Sequence, residues 1–190
     1  MAIEVRRRLV PADIERMIAC GELSQDEFWE FANGEIVWLA PAHYPQPVIC
    51  TLISAELVPF GKRIGALVFD SNGGFMVGQH NQQLRAPDVS LVTRERLNMI
   101  RRGGFQTAAP DLAVEVLSDD QLGRAYKHTK IAEYFAAGAR VVWFVDYRTQ
   151  SVSVYEPGRA EITTYSASED ITLDQIAPGF SCRVSAFFPE

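Results

Sequence analysis

Residues 110–146 read PDLAVEVLSDDQLGRAYKHTKIAEYFAAGARVVWFVD, and the fold turns on how this stretch divides. Pro110 opens an extended run from Leu112 to Leu117, five apolar residues interrupted only by Glu115. Ser118-Asp119-Asp120 supplies capping side chains for a helix over roughly 120–137. Gly138 suits the left-handed residue that closes such a helix. Arg140 to Asp146 is then a nearly unbroken apolar strand, the pattern of a strand covered on both faces. A strand, a helix and a buried strand in succession place the chain among the α/β or α+β proteins, as a mixed sheet flanked by helices.

The flanks agree. Residues 11–20 (PADIERMIAC) predict a short helix with proline at its start and acids in its first turn. Asn33-Gly34, between Phe28-Trp29-Glu30-Phe31 and Glu35-Ile36-Val37-Trp38-Leu39, is a strong hairpin signal. Val48, Leu52, Ile53, Leu57 and Val58 recur at helical spacing over 47–60, with Gly61 to Gly65 expected to end that helix. Ala66 to Asp70 reads as a strand, Ser71 to Gly74 as a turn, Phe75 to Val77 as extended, and Gly78 to Gln83, which includes His80, as a polar loop. Leu84 to Thr93 (LRAPDVSLVT) reads as one strand with Pro87 at an edge or bulge. Arg94 to Arg102 is a basic helix or loop closed by Gly103-Gly104. Ser151 to Tyr155 and Ile162 to Tyr165 alternate as meander strands around a Pro157-Gly158 turn, and the tail after Ile171 is a short strand and coil. No internal repeat or linker stands out, so residues 1–190 are read as a single domain.

Composition bounds the function. Hydrophobic residues make up 47% of the 190, an ordinary globular share that excludes wholesale disorder. Cys20, Cys50 and Cys182 are odd in number and far apart, with no CxxC. A disulfide framework or zinc finger is therefore not expected, and a reducing cytoplasm suits the free thiols. No apolar run reaches the ~20 residues of a bilayer span, so no membrane partner is expected. The net charge of −6 excludes a protein coated in basic surface but not a local basic patch. Of 18 basic residues only Lys62, Lys127 and Lys130 are lysines. A lysine kept where arginine is preferred suits a site that needs a compact ammonium, although codon bias gives the same count.

Two carboxylates stand in apolar surroundings: Asp88 in Ala86-Pro87-Asp88-Val89 and Glu115 in the middle of its strand. Burying either unpaired is costly, so each calls for a cation, a hydrogen-bond network or a metal. Asp111 shares a strand face with Glu115 but stands ~13 Å from it at 3.3 Å per residue. It cannot easily join Glu115 on one ion and is expected at the strand entrance instead. Lys127 and Lys130 lie on the following helix, which returns over the sheet within reach of the carboxylates. His43, His80 and His128 have no ligand spacing, and no P-loop or GxGxxG is present.

Asp88 in RAPDVSLV, Glu115 in PDLAVEVLS and Lys130 in KIAEYFAAGARVVWFVD, preceded by FDSNGGF at 69–75, resemble the Uma-two family of restriction endonuclease-like proteins, within the PD-(D/E)XK nuclease superfamily. The resemblance runs from the hairpin near Glu30 to the strands near Tyr155. It implies a restriction-endonuclease-like fold in which Asp88 and Glu115 hold Mg²⁺, with Mn²⁺ as a substitute. The superfamily's usual lysine, two residues beyond the glutamate, is Leu117 here. In the resembling family that lysine has moved to the next helix, which makes Lys130 the catalytic cation and Lys127 the fallback. The superfamily also tends to have an early acidic residue or glutamine at the site. Glu30, Glu35 and Gln46 fit that description, and Glu30, inside an aromatic strand, is favoured slightly.

The resemblance implies metal-assisted hydrolysis of DNA phosphodiesters, with Arg6 to Arg8 or Arg94, Arg96, Arg101 and Arg102 gripping the backbone. Duplex cleavage by so small a chain is easiest with one copy per strand. Phe28, Trp29, Trp38 and Phe75 exceed what one small core needs, so a homodimer is expected. Two other readings stay open: a hydrolase of a smaller phosphate ester, and a non-catalytic binding or assembly protein, which the net charge and the lack of a sequence-reading module would suit.

Overall fold

The computed structural model describes residues 8–24, 26, 27, 29–78, 82–97, 105–117 and 124–189. Arg6, Arg7, Phe28, His80, Arg101 to Gly104 and Ser118 to Asp120, all singled out above, lie outside the described residues. In chain order the elements are α1 (Pro11–Ala19), β1 (Trp29–Ala32), β2 (Glu35–Trp38), α2 (Gln46–Ile64), β3 (Leu67–Asp70), β4 (Phe75–Val77), β5 (Gln83–Arg85), β6 (Val89–Val92), α3 (Arg94–Leu97), β7 (Leu112–Val116), α4 (Arg124–Ala136), β8 (Val141–Asp146), β9 (Ser151–Tyr155), β10 (Thr163–Ser166), β11 (Asp170–Thr172) and β12 (Ser181–Arg183), followed by a 3₁₀ turn at Val184–Phe187.

The strand–helix–strand unit forms the middle of a mixed sheet of order β10-β9-β8-β7-β6-β3, in which β7 and β8 run parallel and the other neighbours antiparallel. Strand alternation gives β7 two faces. Leu112, Val114 and Val116 join Ile49, Ile53, Leu57 and Phe60 of α2 in one apolar layer. Trp143 closes that layer against Phe180 and Phe187 of the C-terminal segment. Ala113 and Leu117 face the other way, into a layer with Val142, Phe144 and Tyr134 of α4. Glu115 therefore points at α4. Leu117, fully buried there, fills with core the position where a lysine was missing. The 117–145 hydrogen bond, Leu117 N–H to Val145 O, carries the strand pairing to that residue.

A second sheet, β2-β1-β5-β4, packs beside the first. Its hairpin closes on Asn33 and Gly34, both with positive φ (53° and 80°), as a tight turn between right-twisting strands requires. Trp29, Phe31, Ile36 and Leu84 on one face cover Ile14 and Met17 of α1.

Three expectations need correction. Leu84 to Thr93 is not one strand: β5 belongs to the small sheet and β6 to the large one, with Ala86-Pro87-Asp88 as the corner. Pro87 has no N–H for a ladder and restricts Ala86, so pairing breaks there. Helix α2 does not stop at Gly61 but runs to Ile64 and closes on Gly65 in the left-handed region (φ 70°). Gly61 is instead a contact residue: a β-carbon there would lie 3.2 Å from the Ala66 carbonyl oxygen, so its lack of side chain lets β3 follow closely. The aromatic surplus is also smaller than expected. Phe75 is buried and Trp29 packs edge-on against Phe105, which leaves Trp38 as the exposed member among the described residues of that set.

Asp111 stands at the entrance of β7, fully buried. It accepts the Thr93 N–H at 2.7 Å and pairs with Arg96 Nε at 2.8 Å and Arg140 Nε at 3.1 Å. Arg96 also donates to the carbonyls of Ala109 and Gly138. It therefore ties the α4–β8 turn to β7 and is not free to grip a phosphate backbone, which corrects its assignment to the basic strip. Removing one partner of a buried ion pair typically costs ~3–5 kcal/mol. Asp111→Ala should lower the urea-derived unfolding free energy by about that amount, and a loss below ~1 kcal/mol would contradict this anchoring role.

Candidate functional site

Glu30 and Arg85 are brought together by strand register. Phe31 pairs with Leu84, so one residue on, Glu30 of β1 stands opposite Arg85 of β5, on the face turned away from α1. Asp88 and Glu115 meet in the same way. Val89 pairs with Val114, and one step further along that register Asp88 stands opposite Glu115. Cross-strand neighbours of this kind share a face with β-carbons roughly 5 Å apart. Helix α4 then lays Lys130, Glu133 and Tyr134 over both pairs, three and four residues apart on one helical face.

Lys130 is the centre of the cluster and is almost completely buried. Its Nζ lies 2.8 Å from Glu115 Oε2 and 3.4 Å from Glu30 Oε1, with the Tyr126 ring centroid at 5.2 Å. Tyr134 donates its hydroxyl to the other Glu115 oxygen, Oε1, at 2.6 Å. Arg85 donates to Glu30 Oε2 at 2.5 Å and grips Glu133 with two hydrogen bonds, at 2.8 and 3.2 Å. Asp88 accepts the Val116 N–H at 2.7 Å and the Gln46 side-chain amide at 2.9 Å.

The electrostatics follow from this packing. Burial works against the Lys130 ammonium, but Glu115 and Glu30 outweigh it and hold its pKa above the ordinary lysine value. Burial likewise works against the Glu30 carboxylate, and Lys130 and Arg85 outweigh it, so its pKa is lowered. Asp88 has no such cation of its own. Burial first, and the Glu115 charge second, push it up to about 7, against the pull of the Val116 N–H, Lys130 and Gln46. Its surface is nonetheless partly open to solvent, so a ligand can reach it. Burial and Glu115 push the Tyr134 hydroxyl well up, which keeps it a donor. The Cys50 thiol is raised by burial and by the negative charge of Asp88, so it stays protonated beside the site.

All four residues expected at the site, Asp88, Glu115, Lys130 and Glu30, fall within this cluster. Of the early candidates, Gln46 joins through Asp88, while Glu35 is exposed beside the hairpin turn. Lys127 points elsewhere, its Nζ 5.9 Å from the Phe144 ring centroid. Arg85, Glu133 and Tyr134 were missed. The spacing of Lys130, Glu133 and Tyr134 on one helix face was a usable signal; Arg85, one of 15 arginines, gave none.

The donor set fits a hard divalent ion. Four carboxylates meet two cations here, a formal excess of two negative charges. Among the described residues no three Asp, Glu, His or Cys side chains converge as a metal cluster. Asp88 and Glu115 thus offer two oxygen-donor groups, which is what Mg²⁺ takes when waters and substrate phosphate complete its shell.

Comparison with known proteins bears on the fold and the family. The chain is similar in structure to "a putative nuclease belonging to DUF820 from Anabaena variabilis ATCC 29413", with 20% sequence identity and a TM-score of 0.63, over 85% of this chain and 90% of that chain. At that identity the likeness establishes the fold. No curated protein matches the chain. The model of the family described as "Uma2: Putative restriction endonuclease" matches residues 11–185, and the chain belongs to that family.

Proposed function

We propose that the protein is a Mg²⁺-dependent endonuclease that hydrolyses DNA phosphodiester bonds, with Mn²⁺ able to replace Mg²⁺. The observation that carries this reading is the Lys130 ammonium, held protonated on Glu115 in a cluster of four carboxyl groups and two cations. Asp88 and Glu115 would hold the metal. When bound, it supplies Lewis-acid polarisation of a phosphoryl oxygen and acidifies a water.

The chain's own residues do the rest. Lys130, firmly protonated, acts as a cation and not as a base: it orients the attacking water and stabilises the charge growing on the phosphate. Tyr134 and the Val116 N–H fix the carboxylate rotamers of Glu115 and Asp88. The water oxygen bonds to phosphorus and loses a proton to bulk water, the phosphorus bond to the leaving sugar oxygen breaks, and that oxygen takes a proton from bulk water. Arg94, exposed beside the sheet, remains a candidate contact for the backbone. The free cysteines Cys20, Cys50 and Cys182 suit a cytoplasmic setting. Among the described residues no helix is long and apolar enough to cross a membrane.

Three outcomes test this reading. Lys130→Met should cut Mg²⁺-dependent plasmid cleavage by ~10²–10³-fold, the usual loss on removing one charge-stabilising donor, while Lys127→Ala stays within a few-fold. Full activity in the Lys130 variant would refute the role. Mn²⁺ at ~100 times its Kd should raise the stability of the wild type by ~2.7 kcal/mol, seen as a higher Tm, and should leave Asp88→Asn unmoved. An equal rise in both would place the ion elsewhere. Finally, we seat a second copy on the exposed apolar edge formed by Val37, Trp38 and Leu39 at β2. Light scattering should then give about twice 21.2 kDa, and a monomeric mass at tens of micromolar would count against the dimer.

A further inference from the structure

Glu30 and Arg85 hold no position from which the reaction needs them directly, yet they are buried and fully paired, an arrangement costly to maintain for packing alone. Arg85 is anchored to α4 through Glu133 and holds one oxygen of Glu30. The other Glu30 oxygen is aimed at Lys130, 3.4 Å from its Nζ, slightly beyond a close contact. Lys130 itself sits on Glu115 Oε2, while Oε1 of that carboxylate already carries the Tyr134 hydroxyl. Both Glu115 oxygens thus already carry a donor, and one of those donors is the Lys130 charge, which repels an incoming divalent cation.

We propose that Glu30 is an alternative seat for the Lys130 ammonium, and that a divalent cation and Lys130 share Glu115 by exclusion: Lys130 moves from Glu115 to Glu30 when the cation arrives. This rests on the metal-dependent reading above. The displacement required is under an ångström in contact distance, within one rotamer's play. It carries Lys130 away from the cation without exposing it to water or leaving it unpaired. Glu30 is kept from following by Arg85, and Arg85 by Glu133, so the seat is rigid while the lysine moves. Glu30 is in these terms a positioning residue. Arg85 offsets part of its charge, and its influence on the cation passes through Lys130.

The test is calorimetric titration of Mn²⁺ alone into the full chain, with no DNA and no turnover. Removing a seat of this kind should weaken Mn²⁺ binding by ~10-fold in Glu30→Gln, because Lys130 then has only Glu115 to hold. Lys130→Met should bind Mn²⁺ more tightly than the wild type. In the Lys130→Met background, adding Glu30→Gln should change the affinity by less than about twofold, since the lysine that transmits the effect is gone. Glu30→Asp keeps the charge but withdraws it by one methylene and should lie between wild type and Glu30→Gln; it serves if the Gln variant does not fold. Equal Mn²⁺ affinity in wild type and Glu30→Gln would overturn the proposal and leave the metal site standing. The same loss with and without Lys130 would also overturn it, because Glu30 would then act on the ion without the lysine. A wild type that takes up no Mn²⁺ would overturn both this inference and the metal-dependent reading.

Discussion

A buried ammonium with two carboxylates around it is the constraint from which the rest of the architecture follows. Lys130 is buried against Glu115 and Glu30, which offset its charge, while Tyr134 and Arg85 hold the second oxygen of each carboxylate. Each comes from a different element: Glu115 from the central sheet, Glu30 from the hairpin sheet, Lys130 from the helix between them. Satisfying one lysine therefore fixes the mutual placement of all three. Arg85 and Glu133 extend the same logic outward, tying the small sheet to α4 a second time.

The large sheet is built so that this polar seam costs little core. Its α2 face is apolar at Leu112, Val114, Val116, Val141 and Val145 and runs on into the C-terminal segment through Trp143, Phe180 and Phe187. Its α4 face is apolar at Ala113, Leu117, Val142 and Phe144, with Glu115 charged toward one end of β7 and Asp111 at the other. At one end of two adjacent strands the register of Val89 with Val114 leaves Asp88 and Glu115 side by side. Burial first, and the neighbouring Glu115 charge second, are why Asp88 keeps a raised pKa.

Much of this was legible in the sequence where the signal was local. The Asn33-Gly34 turn, the run through Glu115 and the unbroken strand ending at Asp146 each declare themselves within a few residues. Asp88 and Glu115 stood out because a carboxylate in an apolar run is conspicuous; Lys130 was singled out over Lys127 by the family resemblance. What escaped was non-local. The division of 84–93 between two sheets depends on partners, Phe31 for Leu84 and Val114 for Val89, that no window around Pro87 contains. Arg85 finds Glu30 and Glu133 across 55 and 48 residues of chain. Gly61 looked like a stop because glycine often is one; only the approach of Ala66 shows why it lies inside a helix.

The corner at Ala86-Pro87-Asp88 has a consequence for how the protein comes apart. Arg85 and Asp88 belong to different sheets, but only two residues of backbone separate them, so bringing the two walls together carries almost no loop-closure entropy. Neither wall can swing out as an independent flap: ordering β6 drags β5 with it, and β5 brings the hairpin. Opening β5 away from β6 also has to break the Arg85 ion pairs to Glu30 and Glu133, so the two sheets and α4 are tied by charge as well as by the chain.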